Sequence, residues 1–164
     1  MSSAEPVVRV LFVCTGNTCR SPLAAAALVE ELGPDAARID VRSAGTATWE
    51  GQPASEGTLE VATSAGLDLS RHRSRRVTAA MVREADFVFV MEVQHRVALE
   101  GMGAPAERVH VVSEWPEPGE PGLPVSDPFG ASREAYEECW RRIRHHIRRI
   151  APGVRQALRA RNAS

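Results

Sequence analysis

Short apolar runs alternate along the chain with longer segments in which apolar residues recur every three or four positions. The short runs predict four β-strands, at residues 7–13, 39–45, 86–91 and 108–114. The first (VVRVLFV) and the third (DFVFVM) have few polar interruptions, which is typical of strands buried in a parallel sheet. The second (IDVRSAG) alternates polar and apolar residues, as strands do.

The longer segments predict helices at residues 21–32, 53–66 and 92–101. The first of these begins with Ser-Pro and is followed by Gly-Pro, and both pairs are signals of helix boundaries. Strands that alternate with helices of this length indicate βαβ units. We therefore predict an α/β fold of the flavodoxin-like, three-layer type, with a four-stranded parallel sheet in the order 2-1-3-4 and helices on both faces.

The C-terminal third differs from the rest in its prolines. Residues 115–130 predict a loop, because they contain Pro116, Pro118, Pro121, Pro124 and Pro128. A last helix is expected to begin near Ser132. Its apolar stripe consists of Tyr136, Trp140, Ile143, Ile147 and Ile150. We expect Pro152-Gly153 to interrupt this helix and to leave the tail, as far as Ser164, as a frayed extra turn.

Composition narrows the class of protein. The 164 residues fit one domain, over 1–164, and the net charge of −1 gives no overall basic field for nucleic acid. The N-terminus does not resemble a signal peptide, and no apolar run reaches the ~20 residues of a membrane span. Three cysteines do not form a disulfide framework, so we expect a reducing, cytoplasmic location with no membrane partner.

The stretch VCTGNTCRSP, at residues 13–22, carries the candidate chemistry. Ligands of such folds bind at the carboxyl ends of the strands, and Cys14 directly follows the first strand. Gly16 and Asn17 tolerate unusual backbone angles, so successive N–H groups can converge on an anion at the positive end of the next helix. Arg20 adds a planar fork that suits two phosphate oxygens.

These features predict phosphoryl transfer to sulfur. The positive field should depress the pKa of Cys14 and make it a nucleophile, with Ser21 as a hydrogen-bond donor to the sulfur. Attack on phosphorus would give a phosphocysteine intermediate that water then hydrolyses. Asp127, in SDPFG at 126–130, is the candidate acid that protonates the leaving group and later activates water.

Other polar residues suggest no further chemistry. The histidines His95, His110, His145 and His146 lack metal-ligand spacing, so we interpret them as structural or surface residues and expect no metal or other cofactor. The arginine-rich stretch 140–150 is interpreted as the solvated face of the last helix, with a nucleic-acid surface as the alternative.

The chain resembles the low molecular weight protein tyrosine phosphatase family over nearly its full length. The matching parts are VCTGNTCRSP (13–22), RSAGT (42–46), LDLSRHRSRR (67–76), DFVFVMEVQHRVAL (86–99) and DPFG (127–130). The resemblance implies a phosphatase that uses Cys14, Arg20 and Asp127 in catalysis and needs no metal. We expect it to act on phosphorylated proteins and to be a monomer. The substrate-binding residues that we predict are Thr15, Gly16, Asn17, Thr18, Cys19, Ser21, Trp49 and Phe129.

The same resemblance assigns supporting roles outside the loop. It implies that Ser43 and His72 hold Asn17 in a strained conformation, although spacing alone would make His72 a solvated residue of a basic turn. It also implies that Cys19 forms a reversible disulfide with an oxidised Cys14. The alternative for Cys19 is a small packing residue.

The prediction of the substrate rests on two departures from the pattern of the tyrosine-specific members. Those enzymes usually have a large aliphatic residue where this chain has Thr18, and a second ring where Gly130 follows Phe129. Both departures match the protein arginine phosphatases of the family. A polar phosphoguanidinium would leave its N–H donors unpaired against an aliphatic wall, whereas Thr18 offers a hydroxyl. Phosphoarginine is therefore favoured over phosphotyrosine, with a neutral variation at Thr18 as the alternative.

Two further activities fit the sequence less well. Arsenate reductases of this fold need a further cysteine pair, whereas only Cys139 remains outside the loop. A non-catalytic phosphate-binding module is expected to lose Cys14 or Asp127, and both are present.

Overall fold

Four parallel strands form the centre of the molecule. The computed structural model describes residues 8–116 and 123–163. The strands are β1 (Val8–Cys14), β2 (Ile39–Gly45), β3 (Phe87–Val90) and β4 (Val109–Val111). They pair in the order β2-β1-β3-β4, as predicted. The predicted first strand residue, Val7, lies outside the described residues, as do Pro118, Pro121 and Ser164.

Five helices, α1 to α5, cover the two faces of the sheet in the described part of the chain. They are α1 (Arg20–Leu32), α2 (Glu56–Ser64), α3 (Ala79–Glu84), α4 (Val93–Gly101) and α5 (Arg133–Asn162). Helices α1, α2 and α5 pack on one face, where alternate β1 residues such as Val10 and Phe12 lie in one apolar cluster. On the opposite face Leu11 and Val13 join a second cluster with residues of α3 and α4. The predicted three-layer α/β fold is confirmed.

Several predicted boundaries differ from those of the structure. The helix predicted over 53–66 is shorter, and the strand predicted over 108–114 is β4 between two 3-10 turns, at Ala106–Arg108 and Val112–Glu114. Helix α3 was not predicted, because six residues are too few to show a helical period. Its one sequence signal is Thr78, whose side chain accepts a hydrogen bond from the N–H of Met81 at 3.2 Å.

The predicted interruption at Pro152 is wrong, since α5 continues through it to Asn162. Val154 and Leu158 extend the apolar stripe beyond the proline and are buried, and this packing outweighs the backbone hydrogen bond that a proline removes. Gly153 lets the ring of Trp115 contact the helix, because a Cβ there would lie 2.7 Å from the ring's Cζ2.

Candidate active site

The loop between β1 and α1 lies at the carboxyl edge of the sheet, where β1 ends at Cys14 and α1 begins at Arg20. Its six carbonyls all accept hydrogen bonds from the surrounding protein. The donors are the N–H groups of Thr46 (to Cys14, 2.9 Å), Ala47 (to Thr15, 3.0 Å), Ser55 (to Thr18, 2.9 Å) and Leu23 (to Cys19, 3.1 Å), the hydroxyl of Thr48 (to Gly16, 2.6 Å) and His72 (to Asn17, 2.6 Å).

This outward arrangement of carbonyls frees N–H groups of the same loop. Those of Gly16, Thr18 and Cys19 donate to no residue that the structure describes. Such a concave set of amides at a helix N-terminus favours an anion. A cleft of about 250 Å³ opens above it, and its lining includes all six residues from Cys14 to Cys19.

Asn17 has the left-handed backbone conformation that the loop requires, with φ of 54°. Its side chain is fully buried and forms three hydrogen bonds. The amide nitrogen donates to the hydroxyls of Ser21 (2.8 Å) and Ser43 (3.0 Å), and the amide oxygen accepts from the N–H of Arg75 (2.9 Å). His72 donates from Nε2 to the carbonyl of Asn17. The structure therefore brings Ser43 and His72 against Asn17.

The sulfur of Cys14 lies 3.0 Å from the hydroxyl of Ser21 and 3.3 Å from the N–H of Asn17. Burial nevertheless raises the pKa of the Cys14 thiol, while Ser21, the charge of Arg20 and the N–H of Asn17 act to lower it. The predicted depressed pKa is thus wrong, because loss of water around the sulfur outweighs these neighbours. Ser21, Arg20 and Asn17 are thus the neighbours that favour the thiolate form of Cys14.

Arg20 is almost fully buried, and its Nη1 is held from two sides. Nη1 forms an ion pair with Glu92 and donates to the carbonyl of Val125 at 3.1 Å. Nη2 lies 3.8 Å from Oδ2 of Asp127. The hydrogen bonds therefore leave Nε and Nη2 for an anion in the cleft.

Asp127 and two aromatic residues form the outer part of the cleft. The Asp127 side chain is 48% exposed, and its Oδ1 accepts a hydrogen bond from the N–H of Phe129 at 3.0 Å. Trp49 and Phe129 both line the cleft and are 75% and 70% exposed. These rings offer flat apolar surface to a substrate side chain.

Thr18 lines the same cleft with a half-buried side chain. Its hydroxyl forms no hydrogen bond with any residue in the described ranges, whereas its carbonyl accepts from Ser55. Gln52 adds a second polar side chain to the lining. Sequence reasoning did not find Gln52, which no motif distinguishes from a surface glutamine.

Glu92 and His95 were also missed as neighbours of the site. The N–H of Glu92 donates to Nδ1 of His95 at 3.0 Å, and Nε2 of His95 lies 2.8 Å from the hydroxyl of Thr15. The proton of a neutral His95 is therefore on Nε2 and is donated to Thr15. Burial, followed by the charge of Arg20, lowers the pKa of His95 to about 4. The Glu-x-x-His spacing at the start of α4 was the only available signal, since Glu92 and His95 form a capping box.

Cys19 is buried beside Cys139 of α5. A hydrogen bond with the Cys139 thiol, together with burial, raises the pKa of Cys19. All three cysteines are free thiols. No three His, Cys, Asp or Glu side chains in the described ranges are grouped so that they could hold a metal ion. The helices of residues 8–116 and 123–163 include none that is long and apolar enough to span a membrane.

A parallel sheet that presents a cysteine in an amide-lined loop is the architecture of cysteine-dependent protein phosphatases. The chain belongs to the low molecular weight phosphotyrosine protein phosphatase family, whose sequence model matches residues 9–162. It is 33% identical to the low molecular weight protein-tyrosine-phosphatase Wzb of Salmonella typhi, over 93% of this chain and 95% of the relative. The chain is therefore an enzyme of this family.

Solved structures of arginine phosphatases are similar as well. The YwlE arginine phosphatase of Geobacillus stearothermophilus aligns with a TM-score of 0.80 and 30% identity, over 91% of this chain and 94% of that chain. A YwlE mutant with a phosphorylated active-site serine aligns with a TM-score of 0.80 and 28% identity, over 90% of this chain and 96% of that chain.

Proposed function

We propose that the protein removes phosphate from phosphoarginine in proteins through a phosphocysteine intermediate on Cys14. The observation that carries the choice of substrate is the hydroxyl of Thr18, which lines the cleft without a partner among the described residues. The choice is also supported by the similarity to YwlE.

The reaction begins with attack of the Cys14 thiolate on phosphorus. The phosphoryl oxygens bind to the N–H groups of the loop and to the free nitrogens of Arg20, which stabilise charge in the transition state. Asp127 protonates the departing nitrogen as the P–N bond breaks. The same carboxylate then takes a proton from water, which attacks phosphorus and releases phosphate and the Cys14 thiolate. The phosphorylated serine of the YwlE mutant supports such an intermediate.

Phosphoarginine matches the chemistry of this cleft in two respects. Its N–H donors can pair with the hydroxyl of Thr18, whereas an aliphatic residue there would leave them unsatisfied. Guanidine is also a strong base, with a conjugate acid pKa above ~12, so its departure requires a proton. Asp127 lies close enough to Arg20 to give that proton to a substrate bound there.

Phosphotyrosine is the second candidate. The named tyrosine phosphatase relatives favour it, and so do the exposed rings of Trp49 and Phe129, which could hold a phenyl group between them. Gly130, with φ of 76°, occupies the position of the second ring that tyrosine-specific members commonly carry.

The proposal includes the setting in which the enzyme acts. Free cysteines support a reducing cytoplasm, and we propose that the chain works there as a single phosphatase domain and a monomer. We further propose that Cys19 forms a reversible disulfide with Cys14 after oxidation. Both residues line the same cleft, which supports this pairing.

The test compares kcat/KM on matched phosphoarginine and phosphotyrosine peptides, for the parent enzyme and for Thr18→Ile. We expect the parent to prefer phosphoarginine, and Thr18→Ile to lower that activity about 10- to 100-fold while phosphotyrosine activity is kept or raised. A polar substrate group loses its partner in this variant, and such losses discriminate strongly between substrates.

Thr63→Ile is the matched control, because Thr63 is an exposed residue of α2 that does not line the cleft. It should leave both activities unchanged. A parent enzyme that prefers phosphotyrosine, with no change of preference in Thr18→Ile, would overturn phosphoarginine as the substrate.

A further inference from the structure

Residues 71–76, with the sequence RHRSRR, form a basic segment beside the cleft. Its four arginines are all exposed, whereas Ser74 is buried at 2% exposure. The segment therefore turns one small side chain inward and directs its positive charge outward.

Ser74 fastens this basic segment to the rim of the cleft. Its N–H donates to the carbonyl of Gln52 at 2.8 Å, its carbonyl accepts from the N–H of Gly51 at 2.8 Å, and its hydroxyl accepts from the N–H of Gln52 at 2.9 Å. The same hydroxyl donates to the carbonyl of Trp49 at 2.5 Å. Because Trp49 and Gln52 line the cleft, the arginines next to Ser74 flank the place where substrate binds.

The guanidinium groups of the basic segment form no salt bridge with any carboxylate of the described residues. The nearby carboxylates have other hydrogen bonds. Glu50 accepts from the N–H of Arg76 at 2.7 Å, and Asp68 accepts from Ser70. Other surface arginines differ in that they form ion pairs, as Arg42 does with Asp40 at 3.1 Å.

Two grooves run along the basic segment. The larger, of about 640 Å³, lies between the segment and α1. Arg71, Arg73 and Arg75 line it and outnumber its two carboxylates, Glu30 and Asp68. The second groove contains Arg73, Arg75 and Arg76 together with Glu50 and Gly51 of the cleft rim. Arg73 and Arg75 line both grooves and therefore connect the cleft rim at residues 50 and 51 with the larger groove.

We propose that the basic segment binds acidic side chains of the substrate protein that flank its phosphorylated residue. The inference rests on the proposed function as a protein phosphatase, but not on which residue carries the phosphate. Charge complementarity identifies the partner. The four exposed guanidinium groups form no salt bridge with the described residues, although the charge of Arg71 acts on Asp68, and guanidinium groups favour carboxylates. Specificity then comes from two places, the cleft for the phosphorylated side chain and the segment for its sequence context.

The experiment measures kcat and KM on three peptides that share one phosphorylated residue and differ only in flanking residues, which are glutamate, serine or lysine. Two or three exposed ion pairs should give the glutamate peptide a KM roughly 3- to 10-fold below that of the serine peptide, with kcat unchanged. Salt at 0.5 M should remove the difference. In Arg71→Ala/Arg73→Ala the two KM values should agree within about twofold.

Arg144→Ala/Arg148→Ala, which removes two exposed arginines of α5, is the matched control and should keep the preference. A parent enzyme with equal KM for the glutamate and serine peptides, or a preference that survives in Arg71→Ala/Arg73→Ala, would overturn the inference. Tighter binding of single-stranded RNA than of the glutamate peptide to the segment would overturn it too.

Two readouts separate this inference from the proposed function. A small aryl phosphate has no flanking residues, so the parent and the variants should hydrolyse it at the same rate. If none of them hydrolysed it, that result would contradict the phosphatase mechanism alone. Fluorescence anisotropy of the labelled peptides reports docking without turnover. Tighter binding of the glutamate peptide than of the serine peptide would support the basic segment as the docking site. Equal affinities for the two peptides would contradict it.

Discussion

Replacement of Asn17 by glycine or by alanine separates the two ways in which this residue supports the loop. Both variants lose the three buried side-chain hydrogen bonds to Ser21, Ser43 and the N–H of Arg75. At about 1 kcal/mol for each bond, the free energy of unfolding should fall by about 3 kcal/mol. That is a large part of the 5–15 kcal/mol typical of a domain.

The two variants should then differ by backbone strain. Asn17 has φ of 54°, a conformation that glycine adopts freely and alanine does not. Asn17→Ala should therefore be less stable than Asn17→Gly by about 1 kcal/mol, even though glycine makes the unfolded chain more flexible. Urea unfolding, followed by circular dichroism, measures both free energies.

The substitutions should also affect catalysis, because the sulfur of Cys14 is hydrogen-bonded to the N–H of Asn17 and to the hydroxyl of Ser21. Loss of this positioning should lower kcat/KM on an aryl phosphate about 10- to 100-fold. The control is Asn162→Ala, at the exposed end of α5, which should change stability by less than 0.5 kcal/mol. This account of Asn17 would be refuted if the free energy of unfolding fell by less than about 1 kcal/mol in both variants. It would also be refuted if Asn17→Ala were as stable as Asn17→Gly.

Three further predictions concern protons and thiols. The pKa of His95 is about 4 in the folded protein, against ~6.5 in the unfolded chain, so the unfolded state binds more protons between these pH values. Stability should therefore fall as the pH drops from about 6.5 to about 4, and the midpoint of urea unfolding should fall less in His95→Gln. Equal pH dependence of the midpoints in parent and variant would contradict the burial of a neutral ring. Ser21→Ala should raise the pKa of Cys14 further, as measured by the pH dependence of alkylation, and an unchanged profile would exclude Ser21 as a thiolate stabiliser. Peroxide should give a reversible Cys14–Cys19 disulfide that forms faster at higher pH, because the pKa of Cys19 is raised; identical recovery in Cys19→Ser would remove its protective role.

The sequence predicted the fold and the position of the loop between β1 and α1 because both depend on local patterns. The strand before Cys14 and the helix after it each show in a few consecutive residues, and parallel strands then require the loop to lie at one edge of the sheet. The sheet order followed from the alternation of strands and helices.

Other features depend on contacts between distant parts of the chain. Glu92 pairs with Arg20 across 72 positions, and His95 contacts Thr15 across 80, so no spacing could connect them. The pKa of Cys14 is set by burial, which follows from tertiary packing rather than from the loop sequence. For Pro152 a signal was present, since Val154 and Leu158 continue the spacing of the apolar stripe.

Trapping of the phosphoenzyme tests the central claim most directly, namely that Cys14 carries phosphate during turnover. Asp127→Asn cannot take a proton from water, so the intermediate should accumulate when this variant is mixed with an excess of nitrophenyl phosphate and rapidly denatured. Mass spectrometry of the peptide that contains Cys14 should show close to one phosphate per enzyme on the sulfur. The same peptide from the control Cys14→Ala/Asp127→Asn, which has no nucleophile at position 14, should carry no phosphate. Phosphate on a different residue, or turnover with Cys14 unmodified at every time point, would contradict the mechanism.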